Sequence, residues 1–246
     1  MTDAHYSRPA LVALYDTLNA WDDSRDFYLS LPRTTPERVL DAGCGTGMLA
    51  VAFAAAGHRV VGIDPAEAML AFALRRGGGD GVDWRCTTLQ AFRSAQRFDL
   101  IYMTGHAFQC LLQDKEILAA FRSVAALLAP DGRFVFDTRN PAAQAWRHWR
   151  PESSRRTGRT PAGEPYEMFH RLLDVDGPFV TFETTYRIGT EGPPLLSKST
   201  LRFHEAAEIV ERAESAGLRL DELWGDWDRS ALSDDSPEII VSLEPD

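Results

Sequence analysis

Three glycines and a cysteine follow an apolar run in the segment VLDAGCGTGMLA, which covers residues 39–50. Glycines at the end of a strand let the backbone approach a ligand, and the start of the next helix presents free N–H groups. The spacing therefore predicts that Gly43, Gly45 and Gly47 form a ligand-binding turn. Cys44 lies inside this turn and is expected to contact the ligand, but no histidine is arranged to make it a nucleophile.

Residues beside the turn favour a ligand with an amine over a dinucleotide. Dinucleotide turns place a small third residue where the helix packs on the strand, and that place is Met48 here. A carboxylate at Asp41 would repel a pyrophosphate and pair with an ammonium group. Asp64 ends the next apolar run, RVVGID, where an acid can accept both hydroxyls of an adenosyl ribose. S-adenosylmethionine carries an amine, a ribose and an adenine.

The elements that must position these residues alternate along the chain. The apolar runs ERVLDAG, HRVVGID, VDWRC, FDLIYM and GRFVFDT are separated by segments with helical periodicity, which predicts an α/β fold with a parallel sheet. After Asp137 the alternation stops, and EMFHRLLDV, FVTFETTYRI and SKSTLRF predict antiparallel strands. We expect a helical cap at 1–36, a core at 37–138 and 201–246, and an inserted substrate-binding lid at 139–200.

The motifs VLDAGCGTG, VVGIDPAEAML, FDLIYMTGHAFQCL and LAPDGRFVFDT resemble those of class I S-adenosylmethionine-dependent methyltransferases of the small-molecule type. The resemblance covers roughly residues 37–138, and LRFHEAAEIVERAESAGLRL resembles the family's last helix and sixth strand. It implies a doubly wound, seven-stranded, mostly parallel Rossmann-like sheet, with a last strand near Glu238–Leu243 antiparallel to the rest. It also assigns Asp41, Gly43 and Gly45 to the methionine end of the cofactor, Asp64 to the ribose and Met69 to the adenine.

One position departs from the family pattern. After the third strand the family often has an Asp for the adenine amine, whereas this chain has Thr87. We expect Thr87 and Thr88 to contact the cofactor, through a hydroxyl or a backbone group; the alternative is a strand-end pair with no ligand role. Met103, at the end of the fourth strand, is also expected among the cofactor contacts.

A catalytic base is optional, because methyl transfer depends chiefly on alignment of the acceptor with the donor. His106 follows the fourth strand, where the acceptor should meet the methyl group, so it is predicted to be the base or a positioning group. The alternative is a turn histidine that caps the next helix or lines the cofactor pocket. His148 is a second candidate if the insertion folds over the pocket.

The chain is acidic but carries one basic cluster. Its formal net charge of −10 disfavours a nucleic-acid backbone as the partner. Two tryptophans and five arginines lie close together: Trp146, Trp149, Arg147, Arg150, Arg155, Arg156 and Arg159. The arginines either clamp a carboxylate or phosphate of the substrate, or face water in a mobile loop.

These observations predict a cytoplasmic methyltransferase that acts on a nitrogen or oxygen atom of a small molecule. Neither a membrane partner nor a metal is expected, since no apolar run reaches membrane-spanning length and the three cysteines lack metal-ligand spacing. The alternatives are a methyltransferase for tRNA or protein, a nucleotide-binding oxidoreductase, and a non-catalytic module on the same fold. The sequence leaves open the acceptor and the oligomeric state.

Overall fold

The chain forms two β-sheets, one of seven strands and one of four. The computed structural model describes residues 3–246. The first two residues of the predicted cap, Met1 and Thr2, lie outside the described residues.

The elements follow one another in a regular order. Three helices come first: α1 (Ala4–Ser7), α2 (Pro9–Leu18) and α3 (Asp23–Leu29). The core then contains β1 (Arg38–Ala42), α4 (Met48–Ala55), β2 (Arg59–Asp64), α5 (Glu67–Ala73), β3 (Val82–Cys86), β4 (Phe98–Met103), α6 (Asp114–Leu127) and β5 (Leu128–Arg139). Next come α7 (Pro151–Ser154), β6 (Arg156–Arg159), β7 (Pro165–Asp176), β8 (Phe179–Ile188) and β9 (Leu195–Arg202). The last elements are α8 (Ala206–Glu214), β10 (Leu218–Trp224) and β11 (Glu238–Pro245).

The large sheet has the strand order β10-β11-β5-β4-β1-β2-β3. Strands β1 to β5 pair in parallel, and β11 is antiparallel to both of its neighbours. The predicted seven-stranded, mostly parallel sheet and its antiparallel last strand are therefore confirmed. Because the carboxyl ends of parallel strands lie at one edge, the segments that follow β1, β2, β4 and β5 approach each other there.

Alternate residues of the central strands pack on opposite faces of this sheet. Leu40 shares a buried cluster with Phe121 of α6, whereas its neighbour Val39 shares one with Phe53 of α4. Burial on both faces is typical of central parallel strands that are covered by helices. Each fully buried side chain of this size contributes about 1.5–3 kcal/mol to the free energy of unfolding.

The small sheet is antiparallel and has the order β6-β7-β8-β9. It confirms the predicted antiparallel insertion. Gly177 connects β7 and β8 with a φ of 55°, a backbone conformation that glycine adopts without steric penalty. The last strand continues to Arg202, two residues beyond the range predicted for the lid. The proposed domain ranges otherwise stay predictions.

Helix α2 packs between the two sheets. Leu11 and Leu14 cluster with Met168 of the small sheet, while Val12 clusters with Met69 of α5. The amphipathic helix thus buries one side against each partner. As a result, the small sheet is held near the carboxyl ends of the large sheet's parallel strands.

Two sequence-level expectations concern the whole described chain. The three cysteines are free thiols, as their spacing indicated. Within residues 3–246, every helix is too short or too polar to span a lipid bilayer.

Candidate active site

The glycine turn begins where β1 ends. Gly43, Gly45 and Gly47 have φ values of 87°, 53° and 76°, which side chains with a Cβ rarely adopt. At Gly47 an added Cβ would also collide with the indole ring of Trp84. At Gly45, by contrast, it would meet no described atom within 4 Å. The turn is therefore closed on its sheet side and open at Gly45, where a ligand can approach the backbone.

Asp41 lies at the end of β1 and is only 2% exposed. Within residues 3–246, its Oδ1 has no hydrogen-bond partner, and neither has the hydroxyl of Tyr102, its neighbour on β4. Burial raises the pKa of Asp41 to about 7; the nearby Tyr102 hydroxyl lowers it in part, and the Asp64 carboxylate raises it further. A buried carboxylate without a donor is destabilising, so a cationic group at Oδ1 would relieve that cost. The ammonium group of S-adenosylmethionine fits this requirement.

Asp64 ends β2 and is oriented by two backbone donors. The N–H of Gly45 donates to Oδ2 at 2.9 Å, and the N–H of Ala66 donates to Oδ1 at 2.8 Å. Burial raises the pKa of Asp64, and the two hydrogen bonds offset part of that increase. Each carboxylate oxygen keeps one lone pair for a further donor, so Asp64 can accept the two hydroxyls of a ribose.

Helix α2 contacts the glycine turn through Asp16. The hydroxyl of Thr46 donates to Oδ1 of Asp16 at 2.5 Å, and Arg76 pairs with the other oxygen. Arg76 also donates from Nε to the carbonyl of Thr46 at 2.9 Å. These contacts connect the N-terminal helices to the turn, and no sequence motif signalled them.

The other residues predicted at the cofactor occupy different environments. Thr87 is half-buried, and its N–H donates to the carbonyl of Asp64 at 3.2 Å, which places it beside Asp64. Thr88 is exposed and its Oγ1 accepts the N–H of Ala91 at 3.3 Å, so it caps a turn. Met69 is 1% exposed and contributes to the cluster that covers α5.

Cys44 and Met103 are both buried at the ends of their strands. Burial raises the pKa of the Cys44 thiol well above its usual range, which opposes a nucleophilic thiolate. Met103 belongs to the main core cluster, and its carbonyl accepts the Tyr28 hydroxyl at 3.4 Å.

The turn after β4 adjoins the glycine turn. An added Cβ at Gly43 would lie 3.4 Å from Cβ of Ala107, the first residue of a short 3₁₀ helix that ends at Cys110. His106 precedes this helix with a φ of 61°, which is uncommon for a residue with a side chain. Its N–H donates to Oδ2 of Asp137 at 2.8 Å, which holds the turn in place.

The imidazole of His106 joins a cluster of buried acids. Its Nε2 lies 3.0 Å from both oxygens of Glu238 and 3.7 Å from Oδ2 of Asp137. The Tyr28 hydroxyl donates to Oδ1 of Asp137 at 2.7 Å. Burial lowers the pKa of His106 to about 3 and raises that of Glu238 to about 8. Since burial opposes each charged form, the His106–Glu238 pair shares one proton near neutral pH.

The same cluster has the spacing of a cation site, since one ligand atom from each of His106, Asp137 and Glu238 lies within 4.8 Å of the others. The hydrogen bonds within the cluster already satisfy these groups. The guanidinium of Arg139 also lowers the pKa values of His106 and Glu238 electrostatically. The arrangement therefore favours proton sharing over metal binding.

Three residues near the His106 turn keep accessible surface. Cys110 is exposed, and Tyr6 and Arg139 are half-buried. The surrounding protein raises the pKa of Cys110 to about 11, raises that of Tyr6 and lowers that of Arg139. Arg139 ends β5 and pairs in register with Glu238, so it lies beside the residue that contacts His106.

The basic cluster and its tryptophans separate in the structure. Trp146 and Trp149 point inward, with ring centroids 4.5 Å from Phe203 and Phe182, respectively. The arginines and the second histidine candidate are exposed: Arg147, Arg150, Arg155, Arg156, Arg159 and His148. Of these, Arg155 pairs with Glu167 on the surface. The geometry supports the solvent-facing alternative for the arginines.

Several site residues were missed by sequence reasoning. Glu238 is 132 residues from His106, and Tyr28 is 109 residues from Asp137, so no local spacing relates them. The one available signal for Glu238 and Arg139 was their position at opposite ends of two strands expected to pair antiparallel.

Comparisons with known proteins identify a matching family, related sequences and similar folds. Residues 39–132 match the family described as a methyltransferase domain. A ubiquinone biosynthesis O-methyltransferase of Bradyrhizobium is 34% identical over 105 residues, which are 42% of this chain and 40% of that protein. The chain therefore spans less than half the length of that relative.

Two solved structures share the fold over nearly the whole chain. A S-adenosylmethionine-dependent methyltransferase from Clostridium acetobutylicum has a TM-score of 0.77 and 16% identity, covering 96% of this chain and 98% of that one. An amino pentose methyltransferase from Micromonospora echinaspora has a TM-score of 0.69 and 20% identity, covering 93% and 96%. At these identities the likeness establishes the fold alone.

Proposed function

We propose that the chain, which belongs to the class I S-adenosylmethionine-dependent methyltransferases, transfers a methyl group to a nitrogen or oxygen atom of a small-molecule acceptor. One observation carries the proposal: Oδ1 of Asp41 is buried without a partner beside a glycine turn that is open at Gly45. When bound, S-adenosylmethionine supplies a methyl group made electrophilic by its sulfonium. The chain's own residues bind and orient the donor and the acceptor, and they exclude water from the site.

On the donor side, three groups have distinct tasks. Asp41 binds the ammonium group of the methionine end, and the backbone of Gly43 and Gly45 contacts the same end. Asp64 accepts the ribose hydroxyls, in an orientation set by the N–H groups of Gly45 and Ala66. Asp16 and Arg76 hold the turn against α2, so the site is rigid before the donor binds.

The remaining predicted residues surround the adenine and the reacting methyl group. Thr87 lies nearest to the ribose acid and is our candidate for the adenine amine. Cys44, Met69 and Met103 contribute buried apolar surface that excludes water, and Thr88 supports the turn that follows β3.

On the acceptor side, His106 acts as a positioning group and as part of a proton-accepting pair. Its turn is fixed by Asp137, and its imidazole shares a proton with Glu238. Methyl transfer to a hydroxyl or an amine leaves a positively charged product that must lose one proton. The His106–Glu238 pair can accept that proton once its own shared proton has been lost.

A small acceptor is supported by the charge of the chain and by the comparisons. The negative net charge and the surface pairing of Arg155 disfavour a nucleic acid. The similar proteins include an O-methyltransferase and an amino pentose methyltransferase, so the proposal includes both oxygen and nitrogen acceptors.

The test has two steps. Calorimetric titration with S-adenosylhomocysteine measures donor-site binding, with NAD⁺ as the control ligand for an oxidoreductase. Incubation with methyl-labelled donor and a panel of small amines, phenols and hydroxy acids then measures transfer. Binding of S-adenosylhomocysteine and labelling of at least one small molecule are expected. Binding of NAD⁺ alone, or labelling of tRNA or protein in preference to the panel, would contradict the proposal.

A further inference from the structure

Arg139 is a half-buried cation without an ion-pair partner in the described chain. Its guanidinium makes one side-chain hydrogen bond there, from Nη1 to Oε1 of Gln109 at 2.8 Å, and no salt bridge to Asp or Glu. A guanidinium has five N–H donors, so most of this group's donors are not bound to protein side chains. The arrangement is therefore suited to a ligand that supplies an anion.

The nearby acids are already engaged with other groups. Asp137 accepts the hydroxyl of Tyr28 and the N–H of His106, and Glu238 contacts the imidazole of His106 with both oxygens. These contacts keep the two carboxyl groups near Arg139 but outside an ion pair with it. The unused donors of Arg139 are thus available to a ligand.

The guanidinium is also held in a defined orientation. Gln109 is fully buried, and its Nε2 is fixed by the carbonyl of Arg202 at 3.4 Å. The carbon of the guanidinium lies 5.5 Å from the ring centroid of Trp149, so one flat face packs on the indole. A planar cation with one edge bound and one face covered presents its remaining edge, which is the geometry that receives a carboxylate.

We propose that Arg139 binds a carboxylate group of the methyl acceptor. The acceptor is then an amino acid or a hydroxy acid, that is, any small carboxylic acid that also carries the amine or hydroxyl group to be methylated. This inference rests on the proposed function and adds the substrate's charge to it. Arg139 lies beside Glu238 in the sheet register, and Glu238 contacts His106. The acceptor's anionic end is therefore bound next to the pair that takes the proton from its reacting end.

A carboxylate suits this place better than a phosphate does. A monoanion matches the single positive charge of Arg139, whereas a phosphate dianion would leave an uncompensated charge beside the carboxyl groups of Asp137 and Glu238, which lie near Arg139. The arginines from Arg147 to Arg159, for which the sequence left an anion clamp as one alternative, are exposed on the surface.

The test uses benzoate and benzamide as matched probes, one anionic and one neutral, titrated calorimetrically into protein saturated with S-adenosylhomocysteine. We expect benzoate to bind about tenfold or more tightly than benzamide, and Arg139→Gln to remove that preference, since a hydrogen bond to a charged group is worth roughly this factor or more. Arg147→Gln, which changes an exposed arginine nearby, is the control and should keep the preference. Arg139→Gln should leave S-adenosylhomocysteine affinity unchanged.

Three results would overturn this inference. Equal binding of benzoate and benzamide to the unaltered protein would show that the site at Arg139 does not select an anion. A preference for benzoate that survives Arg139→Gln would place the anion elsewhere. A large loss of S-adenosylhomocysteine affinity in Arg139→Gln would assign the guanidinium to the donor's carboxylate. Failure of S-adenosylhomocysteine to bind the unaltered protein would instead contradict the proposed function itself.

Discussion

Both carboxyl oxygens of Glu238 lie 3.0 Å from Nε2 of His106. The contact joins the first residue of the last strand to the turn after β4, and it lies next to Asp137. Because burial opposes charge on either group, the pair holds one proton until the pH exceeds about 8, the pKa of Glu238. Above that pH the pair becomes a proton acceptor.

The rate of methyl transfer should therefore rise with pH between about 7 and 9. Glu238→Gln should remove this rising limb and lower kcat by about a hundredfold, the usual effect of losing a general base. The measurement is kcat against pH with the best acceptor from the panel. Glu244→Gln, on the same strand but paired with Arg219 on the surface, is the control and should behave as the unaltered enzyme. If kcat of Glu238→Gln still rises with pH, the rise reports ionisation of the acceptor, and the His106–Glu238 pair is not the base.

Affinity for S-adenosylhomocysteine should depend on the ionisation of Asp41. Its pKa of about 7 means that the carboxyl is mostly protonated at low pH and cannot bind an ammonium group there. We expect binding to weaken by about tenfold from pH 7.5 to pH 5.5, as only the ionised fraction binds. Calorimetry at the two pH values checks this. A constant affinity would mean that Asp41 stays ionised or does not bind the ligand.

Substitution of Gly47 should be more damaging than substitution of another glycine with a similar backbone. Gly47 and Gly163 have φ values of 76° and 86°. An added Cβ would collide with Trp84 at Gly47, whereas at Gly163 it would meet no described atom within 4 Å. Gly163→Ala should cost about 1 kcal/mol for the left-handed backbone, and Gly47→Ala about 3 kcal/mol once overpacking is added. Urea unfolding of both variants provides the comparison. Equal losses would show that the indole moves aside easily.

The free energy of unfolding should fall as pH rises from about 7 to 9. The folded pKa values of Asp41 and Glu238 are about 7 and about 8, above those of unfolded carboxyl groups, so their contribution is present at low pH and lost through this range. The loss is about 2 kcal/mol for the two groups together. Burial lowers the pKa values of His106, His170 and His204, so these three are neutral in the folded protein over this range and do not oppose the trend. Urea unfolding at several pH values tests the trend, and a stability that rises with pH would contradict the burial of these carboxyls.

The positions of the residues proposed to bind the donor could be predicted from local sequence. Gly43, Asp41 and Asp64 stand at the ends of short apolar runs, and parallel strands bring such ends to one edge of a sheet. The same logic placed His106 after β4. Sequence spacing also predicted the seven-stranded sheet, because hydrophobic periodicity and turn residues agree along residues 37–138.

The acceptor half could not be predicted in this way. Arg139 and Glu238 meet because β5 and β11 pair in a register that places them opposite each other. That register depends on packing between strands far apart in the chain, which no local motif records. The sequence left two alternatives for the arginines near Trp149, because its pattern does not show that the segment turns its aromatic side chains inward and leaves its charges in water.

The most direct test of the whole account is calorimetric titration of the unaltered protein and Asp41→Asn with two ligands. S-adenosylhomocysteine carries the ammonium group, and 5′-methylthioadenosine retains the nucleoside without it. We expect Asp41→Asn to weaken S-adenosylhomocysteine binding by about tenfold to a hundredfold, as for loss of a charged hydrogen bond, and to leave 5′-methylthioadenosine binding unchanged. Equal S-adenosylhomocysteine affinity in the two proteins would contradict the assignment of the buried carboxylate to the donor's ammonium group.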